Sequence, residues 1–265
     1  MAVVGTRMGQ RVLASAVVVA LAGCDPTLNV GKWICEGVEL PDAGTTRESP
    51  LSLPWSTGFE KAFCDYQRPL GICYHDPVAS YETVTSPVHS GSYAAAFNVV
   101  ADDPAGNQTR CFRQGTLPTA AYYGAWYFVP ALATNTKLWN LIHFRGGSSG
   151  GEPDHPLWDV SLSNTPSGDL KLIVFDQKGG KVYEAPDTVP IPIGKWFRIR
   201  FYLKRAADAT GEVALYQDNQ QLFDVTNIVT DATAWGQWYV GNLANGLTPA
   251  DSTLYVDDVT ISTSP

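Results

Sequence analysis

Short runs of alternating hydrophobic and polar residues follow one another from residue 57 onward and predict β-strands. Each run is rich in β-branched and aromatic residues and is bounded by Gly, Pro, Asn, Asp or Ser. The runs read SYAAAFNVV, AYYGAWYFVP, KLWNLIHF, LWDVSLSN, DLKLIVFD, KWFRIRFYL, GEVALYQ and STLYVDDVTIS. DQKGGK and QDNQQ between them predict hairpin turns. No segment keeps a 3.6-residue apolar period over a helical length, so the pattern predicts an all-β sandwich or jelly roll.

Strand alternation predicts which side chains face outward. In WFRIRFYL the apolar set Phe197, Ile199, Phe201 and Leu203 predicts the core face. In LWNLIHFR the residues Trp139, Leu141, His143 and Arg145 share a face by the same rule. We expect the two strands to present one sugar-binding surface, formed by Trp139, His143, Arg145, Trp196, Arg198, Arg200 and Tyr202.

Aromatic rings and arginines suit a carbohydrate for separate reasons. A ring stacks on the apolar side of a sugar, and a guanidinium makes paired hydrogen bonds to hydroxyls or carboxylates. The alternative interpretation is that the two arginines of WFRIRFYL, Arg198 and Arg200, are solvated charges on an exposed sheet face. His143 is equally open to a purely structural interpretation.

The N-terminus has the features of an export signal. Arg7 and Arg11 precede the apolar segment 12–23, which is shorter than the roughly 20 residues of a membrane-spanning helix. The segment ends in LAGC, which resembles the bacterial lipobox, so Cys24 is the expected lipidation site. We therefore predict a signal peptide over 1–23, a tether over 24–56 and a β-jelly-roll domain over 57–265. The alternative is an ordinary signal peptide cut near residue 22 or 23.

The net charge argues against a nucleic-acid partner. It is −8 for the whole chain and −10 without residues 1–23, which contain two arginines and no acid. Nucleic acids and anionic membrane surfaces attract basic patches. The expected location is the bacterial cell envelope, with the lipid anchor in a membrane and the domain facing the periplasm or the outside.

Four cysteines remain after Cys24, and an exported protein forms disulfides readily. Cys35, Cys64, Cys73 and Cys111 allow three pairings. Cys64 and Cys73 flank a short Pro/Gly segment, so we expect a local bridge there and a second bridge from Cys35 to Cys111. The alternative is that some of them are free and buried. The chain contains no close Cys-x-x-Cys pair, which disfavours a zinc site.

The order of several segments resembles the concanavalin A-like jelly rolls of the heparin-lyase-I and alginate-lyase type. These segments are SGSYAAAFNVV, YYGAWYFVPA, LWNLIHF, KWFRIRFYLK, GEVALYQDNQQL, WYVGNLANG and TLYVDDVTIS, and the resemblance covers about residues 57–262. It implies a jelly-roll fold and a polysaccharide as the partner, and it leaves open whether that polysaccharide is acidic.

The lyases of that family carry a Gln-x-His strand and an Arg-x-Glu strand. Here His143 matches the histidine, whereas Leu141 stands in the glutamine position. Arg110 matches the arginine, whereas Phe112 replaces the glutamate. Because these two motif residues differ, the resemblance is weaker evidence that His143 and Arg110 are catalytic residues.

The family also carries a tyrosine after a Lys-x-Gly motif. In YVGNL, Gly241 matches the glycine, Tyr239 occupies the lysine position and Leu243 stands where the tyrosine would be. A shift of two residues would make Tyr239 that tyrosine. The departures favour a protein that binds a polysaccharide without cleaving it, so the chain is not expected to be an enzyme.

Two other hypotheses stay open. In the first, the chain is a polysaccharide lyase with His143 and Tyr239 as base and acid, and Arg110 or Arg198 holding the substrate carboxylate. In the second, it is a structural envelope lipoprotein, since a fold does not fix a function.

Two further sites were weighed through the resemblance. Related glucanases carry Glu-x-Asp-x-x-Glu on one strand, whereas LWDVSLSN offers only Asp159, which disfavours glycosidase chemistry. Related sugar-binding domains hold a structural calcium between the first and last strands. Here Glu60, Asp257 and Asp258 would be the Ca²⁺ ligands, since calcium takes carboxylate and carbonyl oxygens. The alternative is that these acids end strands and bind no metal.

Overall fold

The computed structural model describes residue 35 and residues 42–147, 155–231, 233 and 235–265. The predicted signal peptide and the predicted lipidation site Cys24 lie outside these residues. Within them, no helix has both the length and the apolar character that a membrane span requires.

The described residues form fifteen β-strands, which confirms the all-β prediction. Each of the eight strand segments identified in the sequence overlaps one of these strands. In chain order the strands are β1 Trp55–Thr57, β2 Gly71–His75, β3 Ser80–Val84, β4 Ala94–Val100, β5 Asn107–Gly115, β6 Ala120–Phe128, β7 Thr134–Gly147, β8 His155–Asn164, β9 Leu170–Asp176, β10 Lys181–Glu184, β11 Trp196–Lys204, β12 Gly211–Gln217, β13 Gln220–Ile228, β14 Trp235–Thr248 and β15 Asp251–Ser262. The two predicted hairpin turns join β9 to β10 and β12 to β13.

The strands form two antiparallel sheets packed face to face. The eight-stranded sheet has the order β13-β12-β11-β6-β15-β4-β3, and β1 pairs with the last part of β15. The seven-stranded sheet has the order β10-β9-β8-β7-β14-β5-β2. Consecutive strands pair at the β13 and β10 ends of the sheets, whereas pairs such as β6 with β15 and β7 with β14 are distant in sequence, as the crossing connections of a jelly roll require.

The hydrophobic core fills the space between the sheets. The predicted core set of β11, Phe197 to Leu203 in alternation, is fully buried. Tyr123 of the eight-stranded sheet meets Phe144 and Trp238 of the other sheet edge to face, with ring centroids 4.9 and 5.3 Å apart. Burying one such side chain stabilises the fold by about 1.5–3 kcal/mol.

Some residues before the predicted boundary at residue 57 also contact the sandwich. Leu51 is buried in the core, and β1 pairs with residues 259–261 of β15. The backbone N–H of Thr116 donates to the carbonyl of Ser49 at 3.0 Å. Residues 48–56 of the predicted tether are therefore packed against the sandwich, whereas residues 42–44 are exposed.

The predicted disulfide pairing is wrong. The bridges are Cys35–Cys64 and Cys73–Cys111. Cys73 and Cys111 are direct partners on the adjacent strands β2 and β5, with Cα atoms 4.0 Å apart. The sequence separation of 9 between Cys64 and Cys73 suggested a local bridge, but the strand pairing brings Cys73 to a partner 38 residues away.

The predicted face of β7 is wrong in its first half, because the strand contains a bulge. Asn140 pairs with Ser161 and Ile142 pairs with Val160, which leaves Leu141 as an extra residue. Trp139 and Leu141 therefore point into the core, where both are 2% exposed. The bulge places Asn140, rather than Trp139, on the outer face beside His143.

Candidate active site on the seven-stranded sheet

One row of side chains crosses all seven strands on the face away from the core. Direct partners in the sheet register are Ile72, Phe112, Tyr239, His143, Asp159, Phe175 and Val182. Their neighbours along the strands, such as Ile142, Val160 and Val240, belong to the core. Six strand spacings of about 4.8 Å make this row roughly 29 Å long. The row is long enough to hold several sugars of a polymer.

His143 in the middle of the row is held by a carboxylate. Its Nδ1 lies 2.5 Å from Oδ1 of Asp159. An ionised carboxylate only accepts hydrogen bonds, so Nδ1 carries the proton and Nε2 keeps its lone pair. Burial lowers the pKa of His143 below its usual value, and the hydrogen bond to Asp159 opposes that shift. The side chain is therefore a neutral imidazole at pH 7 and has the form of a general base.

Asp159 is itself fixed by two amides. Nδ2 of Asn140 donates to its Oδ1 at 2.9 Å, and Nε2 of Gln177 donates to its Oδ2. Asn140 also accepts a hydrogen bond of 2.9 Å from a terminal guanidinium nitrogen of Arg110. This chain of contacts ties the histidine, the carboxylate and an arginine into one buried network.

Tyr239 is the direct neighbour of His143 on β14. Their ring centroids are 5.3 Å apart. The hydroxyl of Tyr239 donates to Oε1 of Gln237 at 2.5 Å, and Nε2 of Gln237 donates to Gln114 at 2.9 Å. Burial raises the pKa of Tyr239 well above its ordinary value, while Arg145 and Arg110 act in the opposite direction. The phenol is thus protonated at neutral pH and can donate a proton.

Two arginines lie on either side of Tyr239. Arg110 is one row away on β5, with its guanidinium 5.9 Å from the centre of the tyrosine ring. Arg145 is one row away in the other direction, opposite Gln237. Burial lowers the pKa of Arg110, but an arginine stays charged at physiological pH. The site therefore offers a base, an acid and two cations.

A pocket lies on each side of this centre. One has a volume of about 410 Å³ and includes Asp159, Phe175 and Val182 of the row. The other has a volume of about 380 Å³ and includes Ile72 and Phe112. The two pockets extend the row in both directions from His143 and Tyr239 and form with it one groove across the strands.

The single ligand-binding surface predicted from the sequence is wrong. His143 and Arg145 lie on the seven-stranded sheet with Arg110 and Tyr239, whereas Trp139 is buried in the core. The predicted residues of β11, Trp196, Arg198, Arg200 and Tyr202, lie on the outer face of the other sheet. Their alternation along β11 was correct, but alternation within a strand does not tell which sheet the strand joins.

The three acids of the predicted calcium site do lie together. A Cβ atom built on Gly58 would be 3.4 Å from Oδ1 of Asp258, 3.7 Å from Oδ1 of Asp257 and 4.0 Å from Cγ of Glu60. Within the described residues, however, no three His, Cys, Asp or Glu side chains converge as a metal site.

These acids bind the loop that precedes β4. Oε1 of Glu60 accepts hydrogen bonds from the backbone N–H groups of Ser92 and Tyr93, at 2.8 and 3.0 Å. Oδ2 of Asp257 accepts the backbone N–H of His89 at 3.0 Å. Burial raises the pKa of Asp257 to about 6. The three carboxylates offer oxygen atoms, which suits calcium, but Nδ1 of His89 also lies 2.6 Å from Oδ2 of Asp258. The calcium site stays a prediction.

The sequence analysis did not identify two residues of the site, Asn140 and Gln237. It also did not predict that Asp159 would pair with His143. Alternation in LWDVSLSN does place Asp159, Ser161 and Ser163 on one face, which is a signal for a polar groove. No comparable signal marks Asn140, because it reaches the groove only through the bulge of β7.

Comparison with known families gives a match over most of the chain. The family model described as polysaccharide lyase matches residues 69–260. A search of curated proteins gives no match.

Several solved structures share the fold. An endo-β-1,4-glucuronan lyase from the fungus Trichoderma reesei is 15% identical, with a TM-score of 0.61 over 79% of this chain and 95% of its own. The PL-14 alginate lyase from Aplysia kurodai is 13% identical, with a TM-score of 0.54 over 78% and 97%. The alginate lyase Aly36B, as a mutant in complex with an alginate trisaccharide, is 13% identical, with a TM-score of 0.51 over 73% and 98%. At these identities the likeness concerns the fold.

Proposed function

The chain belongs to the polysaccharide lyase family, and from this premise we propose that it cleaves a uronate-containing polysaccharide by β-elimination. The observation that carries the proposal is the pairing of His143 with Tyr239 between two arginines. This arrangement supplies the three groups that the reaction needs, on one face of one sheet. It favours the lyase hypothesis over the expectation of a protein that only binds.

β-Elimination removes a proton next to the carboxylate of a uronate sugar and expels the oxygen of the neighbouring glycosidic bond. A base takes the C5 proton, the electron pair forms the C4–C5 double bond, and the C4–O4 bond breaks. An acid protonates the departing oxygen. A cation beside the carboxylate stabilises the negative charge that develops there.

His143 is the proposed base, because its Nδ1–H is held by Asp159 and its Nε2 is unprotonated. Tyr239 is the proposed acid, because burial keeps its phenol protonated. Arg110 is the proposed partner of the substrate carboxylate, and Arg145 is the second cation of the site. Arg198 has no part in this chemistry, since it lies on the outer face of the eight-stranded sheet.

An acidic substrate is supported by the charges of the groove and by the structural neighbours. The protein has a net charge of −8, yet two arginines flank its candidate active site. One structure of similar fold holds an alginate trisaccharide, and another neighbour is a glucuronan lyase. Both polymers are polyuronates.

The test is the ultraviolet absorbance of the unsaturated uronate product. The protein is incubated with alginate, glucuronan, heparin or pectin, and we expect a steady rise with at least one polymer. The rise should vanish in His143→Ala and persist in the matched control His75→Ala, whose side chain lies outside the groove row. A flat trace with all four polymers contradicts lyase activity on these substrates.

A second candidate function is binding without cleavage on the outer face of the eight-stranded sheet. The observation in its favour is a set of half-exposed aromatic side chains on the adjacent strands β11 and β6. Tyr202 and Tyr122 have ring centroids 4.8 Å apart, and Trp196 packs against Phe128 at 5.6 Å. Arg198 lies between these two pairs.

The anchor is also a proposal. The lipobox-like segment supports lipidation of Cys24 and a location in the bacterial cell envelope. Labelling with a radioactive fatty acid tests it, with Cys24→Ser as the variant that should lose the label.

A further inference from the structure

The two ends of the groove differ in charge. The pocket at the β2 end is lined by Arg47, Arg68, Pro69, Ile72, Phe112 and Gln114. The pocket at the opposite end contains one cation, Lys137, together with the carboxylate of Asp159 and several hydroxyl and amide side chains. Only the β2 end therefore presents an excess of positive charge.

The arginines at the β2 end are available to a ligand. Arg68 is exposed and makes no ion pair or hydrogen bond to the part of the chain that the structure describes. Nε of Arg47 contacts Glu48 at 2.7 Å, and the Arg47 guanidinium lies 4.7 Å from the ring centre of Trp235. Glu48 therefore pairs with Arg47 and makes no ion pair with Arg68. An ion pair this exposed is weak, so an incoming anion can displace Glu48 at little cost.

Both segments that carry the arginines are hydrogen-bonded to the end of strand β5 or to the residue that follows it. The side chain of Gln114 donates to the carbonyl of Pro69, next to Arg68, and its backbone N–H donates to Leu70 at 2.8 Å. On the other side, the hydroxyl of Thr116 donates to the carbonyl of Glu48 at 2.7 Å. The pocket is thus preformed, which reduces the ordering cost of binding.

The basic pocket is continuous with the candidate active site. The Phe112 ring lies 5.0 Å from the Tyr239 ring, and it forms the floor between the pocket and the acid. Hydrogen bonds also run from Gln114 through Gln237 to the hydroxyl of Tyr239. Three strand spacings place β2 roughly 14 Å from the strand of His143. This distance suits a sugar near the cleaved one rather than the cleaved sugar itself.

We propose that Arg47 and Arg68 form a subsite that binds the carboxylate of a second uronate sugar in the same polymer chain. The inference rests on the proposed function, because it concerns the same groove and substrate class. The enzyme would then bind an oligosaccharide that carries two suitably spaced uronates more tightly than one that carries a single uronate. The segment before β1 would contribute to specificity through Arg47.

The test measures binding without turnover. In the His143→Ala protein, Arg47→Met and Arg68→Met remove the charges while they keep the length of the side chains. Binding of short alginate and glucuronan oligosaccharides is titrated calorimetrically, in parallel with the same oligosaccharides after reduction of their carboxylates to alcohols. The matched control is Lys178→Met, an exposed cation in the turn between β9 and β10. Thermal unfolding checks that each variant is folded.

We expect each arginine variant to bind the uronate oligosaccharide about 10-fold more weakly, as loss of a charge-assisted hydrogen bond predicts. Binding of the reduced oligosaccharide and binding by Lys178→Met should stay unchanged. Unchanged binding in the double variant overturns the subsite, and so does an equal loss for both oligosaccharides.

Failure of the subsite and failure of the proposed function give different results. Tight binding that depends on the arginines, combined with no turnover by the native sequence, contradicts lyase activity and supports the subsite. Turnover that is insensitive to both arginines, with an unchanged KM, supports lyase activity and contradicts the subsite. Absence of binding to either polyuronate by the His143→Ala protein overturns the subsite as well.

Discussion

Nδ1 of His143 lies 2.5 Å from Oδ1 of Asp159, its direct partner on the next strand of the sheet. Asp159 therefore decides which imidazole nitrogen carries the proton. The carboxylate is held by Asn140 and Gln177, so the histidine cannot easily turn away. The sequence allowed His143 to be either a base or a structural residue. In the structure it has the tautomer that a base requires.

Asp159→Asn should impair turnover more than binding. An amide can donate to Nδ1 and so favours the tautomer that carries its proton on Nε2, which cannot act as a base. We expect kcat to fall by about 100-fold or more, with KM changed little. Steady-state kinetics measure both constants, and Asp42→Asn, at an exposed position, is the control. A fall confined to KM would contradict this role.

Tyr239→Phe should abolish the acid and leave the packing intact. The phenylalanine ring keeps its contact with Phe112, while Oε1 of Gln237 loses one donor, at a cost of about 1 kcal/mol in stability. We expect kcat to fall by about 100-fold or more. Calorimetric binding of an oligosaccharide should persist. Retained turnover would show that another group, or water, protonates the leaving oxygen.

The stability that His143 contributes should fall as the pH decreases below about 6.5. Asp257, whose pKa burial raises to about 6, changes the stability in the opposite direction as the pH falls through that value. Burial lowers the pKa of His143 in the folded state, so the unfolded state binds more protons between the folded and unfolded pKa values. The free energy of unfolding contributed by His143 is therefore fully present above the unfolded value. It is lost as the pH falls toward the folded value.

Urea unfolding at several pH values measures this effect. His143→Gln, which does not titrate, should show a smaller loss of stability over the same interval than the native sequence. Equal slopes in the two proteins would assign the loss to other groups. The same titration predicts that kcat/KM declines only at a pH below the usual histidine value, because the neutral base persists there.

Calcium should raise the unfolding temperature if Glu60, Asp257 and Asp258 bind it. A bound cation offsets the cost of burying the carboxyl of Asp257, which is fully buried. Differential scanning calorimetry with calcium and with a chelator measures the shift. Asp258→Asn should reduce it, whereas Asp102→Asn, at an exposed site elsewhere, should not. The same unfolding temperature with calcium and with chelator would contradict calcium binding by these three residues.

Trp196→Ala combined with Arg198→Met tests the outer face of the eight-stranded sheet. If that face binds polysaccharide, the double variant should migrate faster than the native sequence in a gel that contains the polymer, while its turnover stays unchanged. If the double variant and the native sequence migrate equally, the outer face of the eight-stranded sheet does not bind the polymer. Lys195→Met, next to Trp196 but exposed, controls for the change in charge.

The fold could be predicted from the sequence because it depends on local patterns. Alternation in β11 and the two Gly- or Asn-containing turns gave the strands and hairpins directly. The site could be predicted only in part, because it depends on pairing between distant strands. Tyr239 contacts His143 because β14 pairs with β7, and neither strand's own sequence indicates which residues will be paired. The bulge at Leu141 also changes which side chains in the first half of β7 face the core. The disulfide between Cys73 and Cys111 follows from the same long-range pairing.

The bridge from Cys35 to Cys64 limits how far the domain could extend from a lipid on Cys24. It fixes residue 35 to the sandwich, so a lipid on Cys24 would hold the domain by the 11 residues from Cys24 to Cys35 rather than by the whole predicted tether. Even fully extended, that length of chain spans only about 40 Å. A lyase anchored in this way would act only in a thin layer next to the membrane that holds its lipid, so its polymer substrate would have to reach that layer.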